Sequence, residues 1–203
     1  MNSVDLVIKG AKLPNGTVSD ICIQEQHVVD VVASFKGEAT QVIDASGCVV
    51  LPGLVDLHTH LREPGREDAE TVLSGSKAGA KGGFTALSAM ANTSPVADTA
   101  GVVEQVYRLG QEAGYLDVFP IGAVTQGLRG EALSEIGAMA DSVARVRVFS
   151  DDGHCVSDPL VMRRALEYIK KFDGVVAQHA QDPRMTVNSQ MNEGIVSARL
   201  GLK

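Results

Sequence analysis

Tryptophan is absent and aromatic residues make up only 4% of the chain. That argues against a stacking platform for nucleic-acid bases. Cysteine is scarce as well. Cys22, Cys48 and Cys155 are odd in number, widely spaced and without a CxxC, which disfavours a disulfide framework or a cysteine-bound structural zinc. No run of Lys or Arg stands out and the net charge is −7, so nucleic acid and anionic membranes are poor partners. No apolar run is long enough to span a bilayer, and MNSVDLVIKG lacks a basic segment followed by an apolar one. These absences predict a cytoplasmic protein. What remains is an ordinary globular composition, 44% apolar and 21% charged, with enough apolar content for a core.

Residues 1–52 differ from the rest. DLVIKGAKL, VSDICIQEQHVVDVV and TQVIDASGCVVL are β-branched runs separated by Asn15-Gly16 and Gly37, a pattern of small strands and hairpins. Leu51-Pro52-Gly53 is a break. From residue 53 to 203 strands and helices alternate. LVDLHTH, FTALSAM, LDVFPIGAV, ARVRVFS and GVVAQHA are short apolar strands. Helices are predicted over 69–80, from a cap at Asp98 to about 113, over GEALSEIGAMAD, and from Ser157 or Asp158 with Pro159 in the first turn through 171. The remainder is polar with weak helical character.

Strands of this kind belong to parallel sheets covered on both faces. A doubly wound open sheet and a (β/α)₈ barrel are the candidates. No GxGxxG follows the first strand, which weakens the dinucleotide fold. The polar residues His58, His60, Asn92, Asp151 and His179 stand at the C-terminal ends of successive strands, where the active-site mouth of a barrel lies. A barrel takes ~250 residues, and residues 53–203 suffice for about five βα units. An incomplete barrel leaves two unpaired strand edges. The expectation is therefore the N-terminal part of a longer protein.

Residues two apart in a strand point to the same side. His58 and His60 therefore project together, and two imidazoles on one face can share a metal ion such as Zn²⁺. Asp151 ends ARVRVFSD, where a carboxylate can bridge two ions. Asp152, directly before Gly153, suits a turn. His179 at the end of GVVAQHA completes a candidate ligand set of His58, His60, Asp151 and His179. Paired metals activate water and polarise a carbonyl, which suits amide hydrolysis. Arg62 offers a planar fork for a carboxylate, or else a surface ion pair with Glu63 or Glu67. Asn92 can face an amide or carboxylate, or serve as a turn residue. His154 reads as a loop residue with a possible substrate or ligand-supporting role, and His27 as exposed.

At these residues the sequence resembles the amidohydrolase superfamily and, within it, the dihydroorotases of the longer bacterial type. The segments that carry the likeness are LPGLVDLHTHLREPG, KGGFTALSAMANTSPVADT, FSDDG and QHAQDPR. The resemblance implies a metal-dependent hydrolase (β/α)₈ TIM barrel with residues 1–52 as part of a β-sandwich. It implies two zinc ions per complete site: His58 and His60 on the more buried one, Asp151 bridging, His179 on the second. It places His60, Arg62 and Asn92 at the substrate, with Arg62 and Asn92 holding its carboxylate. The reaction implied is reversible cyclisation of N-carbamoyl-L-aspartate to L-dihydroorotate in pyrimidine biosynthesis. A homodimer or a complex with aspartate transcarbamoylase is the implied assembly. Two departures stand out. Ala91 occupies a position that is proline in the family. The family's further histidine ligand and its general acid/base aspartate are expected beyond residue 203, so residues 1–203 alone are expected to be inactive. Hydantoinases and allantoinases are the competing enzymes, but they bridge their metals with a carbamylated lysine, and ARVRVFS carries Arg145 and Arg147 instead. A non-catalytic scaffold related to dihydroorotase is the other alternative.

Overall fold

Alternating β-branched residues build the first unit of the chain, Met1–Pro52, and the second runs from Gly53 to Lys203. The computed structural model describes residues 3–203. In the first unit β1 (Ser3–Lys12), β2 (Val18–Gln24), β3 (His27–Val32) and β4 (Glu38–Asp44) form one sheet in the order β3-β2-β1-β4. Strand β1 pairs antiparallel with β2 and parallel with β4. Asn15 closes the first turn by accepting from the backbone N–H and hydroxyl of Thr17 at 3.0 and 2.7 Å. VSDICIQEQHVVDVV reads as one run, yet it breaks at Glu25 and Gln26, which adopt φ of +48° and +68°. Two successive residues in the left-handed region make the tight connection that matches strand twist; without Gly or Asn there, the sequence does not announce it. Val4, Val7 and Cys22 form one small core and Ala11, Ile21 and Ala45 another.

The second unit is a parallel α/β arrangement. Strands β5 (Leu54–Thr59), β6 (Phe84–Ala89) and β7 (Asp117–Pro120) pair in that order, and β8 (Val148–Phe149) pairs with β9 (Val175–Val176). Gly122, just past β7, joins the two sheets. Its N–H donates to the Val148 carbonyl at 3.1 Å, and its carbonyl accepts from Ser150 N–H at 2.8 Å. The strands therefore succeed one another in chain order, their C-terminal ends on one side. The helices are α1 (Val72–Lys81), α2 (Ala100–Ala113), α3 (Ile136–Asp141), α4 (Pro159–Ile169) and α5 (Ile195–Leu200). None is long and apolar enough to cross a membrane.

Local chemistry explains where the helices begin. Helix α1 starts at Val72, three residues later than its apolar pattern suggests, because Thr71 and Ser74 form a reciprocal capping box. Glu63 reinforces that end by accepting from Val72 N–H at 2.7 Å. Asp158 caps α4 through Leu160 and Val161 N–H. Asp98 does not cap α2 as expected. Thr99 holds the cap position, and the Asp98 carboxylate accepts from Gly127 N–H at 2.8 Å. Only the last six residues of GEALSEIGAMAD are helical, because the preceding backbone is committed elsewhere: Gln126 N–H bonds to Ala132 O, and Ser134 N–H to Val124 O.

The larger core gathers Val103, Val124, Ile136, Met139, Val146, Phe149, Ala165 and Ile169, each at most 1% exposed. A second cluster joins Leu61, Val72, Leu87, Val106 and Val118. Helix α2 reaches β7 closely because residue 110 is glycine; a Cβ there would lie 2.5 Å from Val118. Strand β5 departs from the expected burial. Among the described residues it pairs with β6 alone, and Leu54, Val55 and Leu57 remain exposed, the condition of an edge strand.

Candidate metal centre

Strand alternation carries His58 and His60 to one side of the end of β5, as their spacing predicts. Their Nε2 atoms stand 3.3 Å apart. Asp152 closes a triangle, with Oδ1 3.4 Å from His58 Nε2 and Oδ2 3.4 Å from His60 Nε2. Tetrahedral zinc with bonds of ~2.0–2.1 Å separates its ligand atoms by roughly 3.3–3.4 Å. The spacing of the donor atoms therefore fits a single divalent ion, and two imidazoles with a carboxylate are a donor set that suits one.

The other nitrogen of His60, Nδ1, lies 3.0 Å from Asn92 Oδ1, a contact that suits a ring donating from Nδ1 and presenting the Nε2 lone pair to an ion. Asn92, a substrate residue by the family resemblance, makes its side-chain hydrogen bond to His60 among the described residues. His179 stands at the margin, with Nδ1 4.0 Å from Asp152 Oδ1 and Nε2 3.3 Å from Gln181 Oε1.

Asp151 is a correction. Its carboxylate does not face the histidines. It is 1% exposed, and it accepts from the backbone N–H groups of Val124 and Thr125 at 2.7 and 3.0 Å and from the Thr125 hydroxyl. The two aspartates have exchanged the roles their sequence context suggests. β8 ends at Phe149, and the chain leaving it buries Asp151 against the backbone N–H groups of Val124 and Thr125, whereas Asp152, in the turn that follows, reaches the histidines.

Arg62 is half-buried with φ of +59°. Among the described residues it makes no ion pair, and the two acids beside it are engaged elsewhere. Glu63 holds the start of α1, and Glu67 accepts from Gly65 N–H at 2.8 Å. Its loop is tied to the Asn92 loop, since Ser94 N–H donates to Pro64 O at 3.0 Å. Gly65 permits that approach; a Cβ there would lie 2.2 Å from Ser94 O. His154 is exposed and borders a cleft of about 340 Å³ with Arg129, Cys155 and His179. His27 is exposed in β3, its Nδ1 2.8 Å from Glu25 O.

The family described as Dihydro-orotase-like matches residues 47–203. The dihydroorotase of Leifsonia xyli subsp. xyli is 62% identical over 202 residues, covering 100% of this chain and 46% of that protein. That of Streptomyces coelicolor is 64% identical over 196 residues, covering 97% of this chain and 46% of that protein. That of Mycobacterium tuberculosis is 58% identical over 201 residues, 98% of this chain and 47% of that protein. The chain thus spans about half the length of the curated relatives it matches. Among solved structures, an L-hydantoinase (dihydropyrimidinase) from Arthrobacter aurescens superposes with a TM-score of 0.73 at 22% identity, over 88% of this chain and 41% of that one. A dihydropyrimidinase from Brevibacillus agri gives 0.64 at 18% identity, over 89% and 42%. At these identities the likeness is one of fold. The family match over the whole second unit, together with identities of this order to dihydroorotases, shows that the chain belongs to the dihydroorotase-like family.

Proposed function

We propose that the protein carrying this chain is a zinc-dependent dihydroorotase that interconverts N-carbamoyl-L-aspartate and L-dihydroorotate. The observation that carries the reading is the triangle of His58, His60 and Asp152, set in a chain of this family and followed by Arg62, which makes no ion pair among the described residues. When bound, zinc supplies Lewis acidity toward an amide carbonyl and lowers the pKa of water. His58, His60 and Asp152 would hold one ion, and His179, with Nδ1 4.0 Å from Asp152 Oδ1, would serve a second. Asn92 keeps His60 in the tautomer that offers Nε2. Arg62 is the carboxylate fork; its planar guanidinium suits a bidentate contact, and a substrate bearing a carboxylate explains it where an unsubstituted cyclic amide does not. The five parallel strands are read as part of a (β/α)₈ barrel, and the sheet of residues 3–44 as part of a β-sandwich. A homodimer or a complex with aspartate transcarbamoylase is the assembly this reading carries.

The test is a panel of cyclic amides offered to the full protein with zinc: dihydroorotate, hydantoin, dihydrouracil and allantoin. Turnover of dihydroorotate well above the others, lost in Arg62→Met, supports the proposal. Preference for hydantoin or dihydrouracil, or no turnover by zinc-loaded protein, overturns it in favour of a hydantoinase or a non-catalytic scaffold.

A further inference from the structure

Asp151 is a buried ionisable residue for which the proposed chemistry has no use. Its surroundings are built around it. Oδ1 takes the two consecutive backbone N–H groups of Val124 and Thr125, and Oδ2 takes the Thr125 hydroxyl. Thr125 is itself fully buried, and its Oγ1 also accepts from Gly130 N–H at 2.9 Å. The same stretch is braced from the far side: Ser134 N–H donates to Val124 O at 3.0 Å, and the Ser134 hydroxyl to Ala123 O at 2.6 Å. The carboxylate therefore grips a rigid loop after β7. At its own main chain, Asp151 O accepts from His154 N–H at 2.8 Å, closing the turn that contains Asp152.

Two anchors thus fix residue 151, one through its side chain and one through its carbonyl. Asp152 lies in the turn that the second anchor closes, with its carboxylate 3.4 Å from each histidine Nε2. A displacement of residue 151 would move Asp152 directly, because the two share a peptide unit. We infer that Asp151 is a positioning residue, whose carboxylate, clamped by Thr125 and the 124–125 backbone, sets Asp152 against His58 and His60. Thr125 belongs to the same device. The inference rests on the metal reading of that triangle.

The test uses the full protein and cobalt(II) as the probe. Thr125→Val removes the hydroxyl at almost constant volume, Thr125→Ser restores it, and Asp151→Asn keeps the shape while removing the charge. Cobalt affinity is measured by chelator competition, the ligand field by the visible absorption band, and stability by urea unfolding of the metal-free protein. Supporting residues of a metal site typically contribute 10–100-fold in affinity. Thr125→Val is expected to lose at least tenfold with an altered band, Asp151→Asn to shift both measurements the same way, and Thr125→Ser to keep the affinity and the band. Unchanged affinity and band in Thr125→Val and Asp151→Asn, with only the urea midpoint lowered, would mean a purely structural clamp and overturn the inference alone. Failure of the unaltered protein to take up cobalt overturns the metal reading and this inference with it.

Discussion

Gly65→Ala tests whether the loops bearing His60 and Arg62 on one side and Asn92 on the other act as one unit. Gly65 has φ of +103°, and a Cβ there would lie 2.2 Å from Ser94 O and 2.6 Å from Ser94 Cβ. Ordinary contact begins at about 3.4 Å, so the loops must part by roughly 1.2 Å, the difference between 3.4 and 2.2 Å. The backbone strain costs about 1–3 kcal/mol and the overpacking a further 1–3 kcal/mol. A misplacement of ~1 Å near the chemistry costs ~100-fold in rate. Gly83→Ala is the control. Gly83 has φ of +86° with nothing within 4 Å, so the same change there carries about 1–2 kcal/mol of strain and no clash. Urea unfolding and dihydroorotate turnover of the full protein are the assays. Gly65→Ala is expected to lose more stability than Gly83→Ala and about a hundredfold in turnover, while Gly83→Ala keeps its activity. Full turnover in Gly65→Ala, or an equal loss in Gly83→Ala, would refute the idea that the approach of these loops sets the site.

Asn92→Ala removes the partner of His60 Nδ1 and should weaken cobalt binding about 10–100-fold, as chelator competition will read; unchanged affinity would assign Asn92 to the substrate alone. Asp158→Ala deletes the α4 cap made to Leu160 and Val161 and should cost about 1 kcal/mol in urea unfolding without altering metal affinity. The Arg184 guanidinium and its backbone N–H hold the Asp182 carboxyl down to about 2. Its folded value lies below that of the unfolded chain, near ~3.9, so its contribution is present above pH ~4 and is lost as pH falls toward ~2. Asp182→Asn should therefore melt below the unaltered protein at pH 5 and converge with it near pH 2; parallel melting curves at both pH values would contradict the pairing.

Much of the site is legible from local rules. The period of two in LVDLHTH brings His58 and His60 together without reference to anything distant. Asp158 before Pro159 announces its helix. The Glu25-Gln26 turn was illegible for a complementary reason: neither residue is a turn former, and the pairing of β2 with β3 imposes their left-handed backbone. The start of α3 was misread because Ala132 and Ser134 give their backbone groups to the segment after β7 rather than to a helix. Asp98 stands where a cap is expected, yet it binds Gly127, 29 residues away.

The aspartate pair shows where the division falls. FSDDG determined by itself that a carboxylate would stand at the end of β8, in line with the histidines at the end of β5. Which carboxylate faces them was a tertiary decision. Phe149 is buried in the α/β core, and just past the end of β8 Asp151 turns inward to the N–H groups of Val124 and Thr125, leaving Asp152 in the following turn to face the histidines. A buried carboxylate needs donors, and only the folded loop after β7 supplies them. Residue types and spacing determined that metal ligands were available; the packing around Phe149 and Thr125 determined which of them meet.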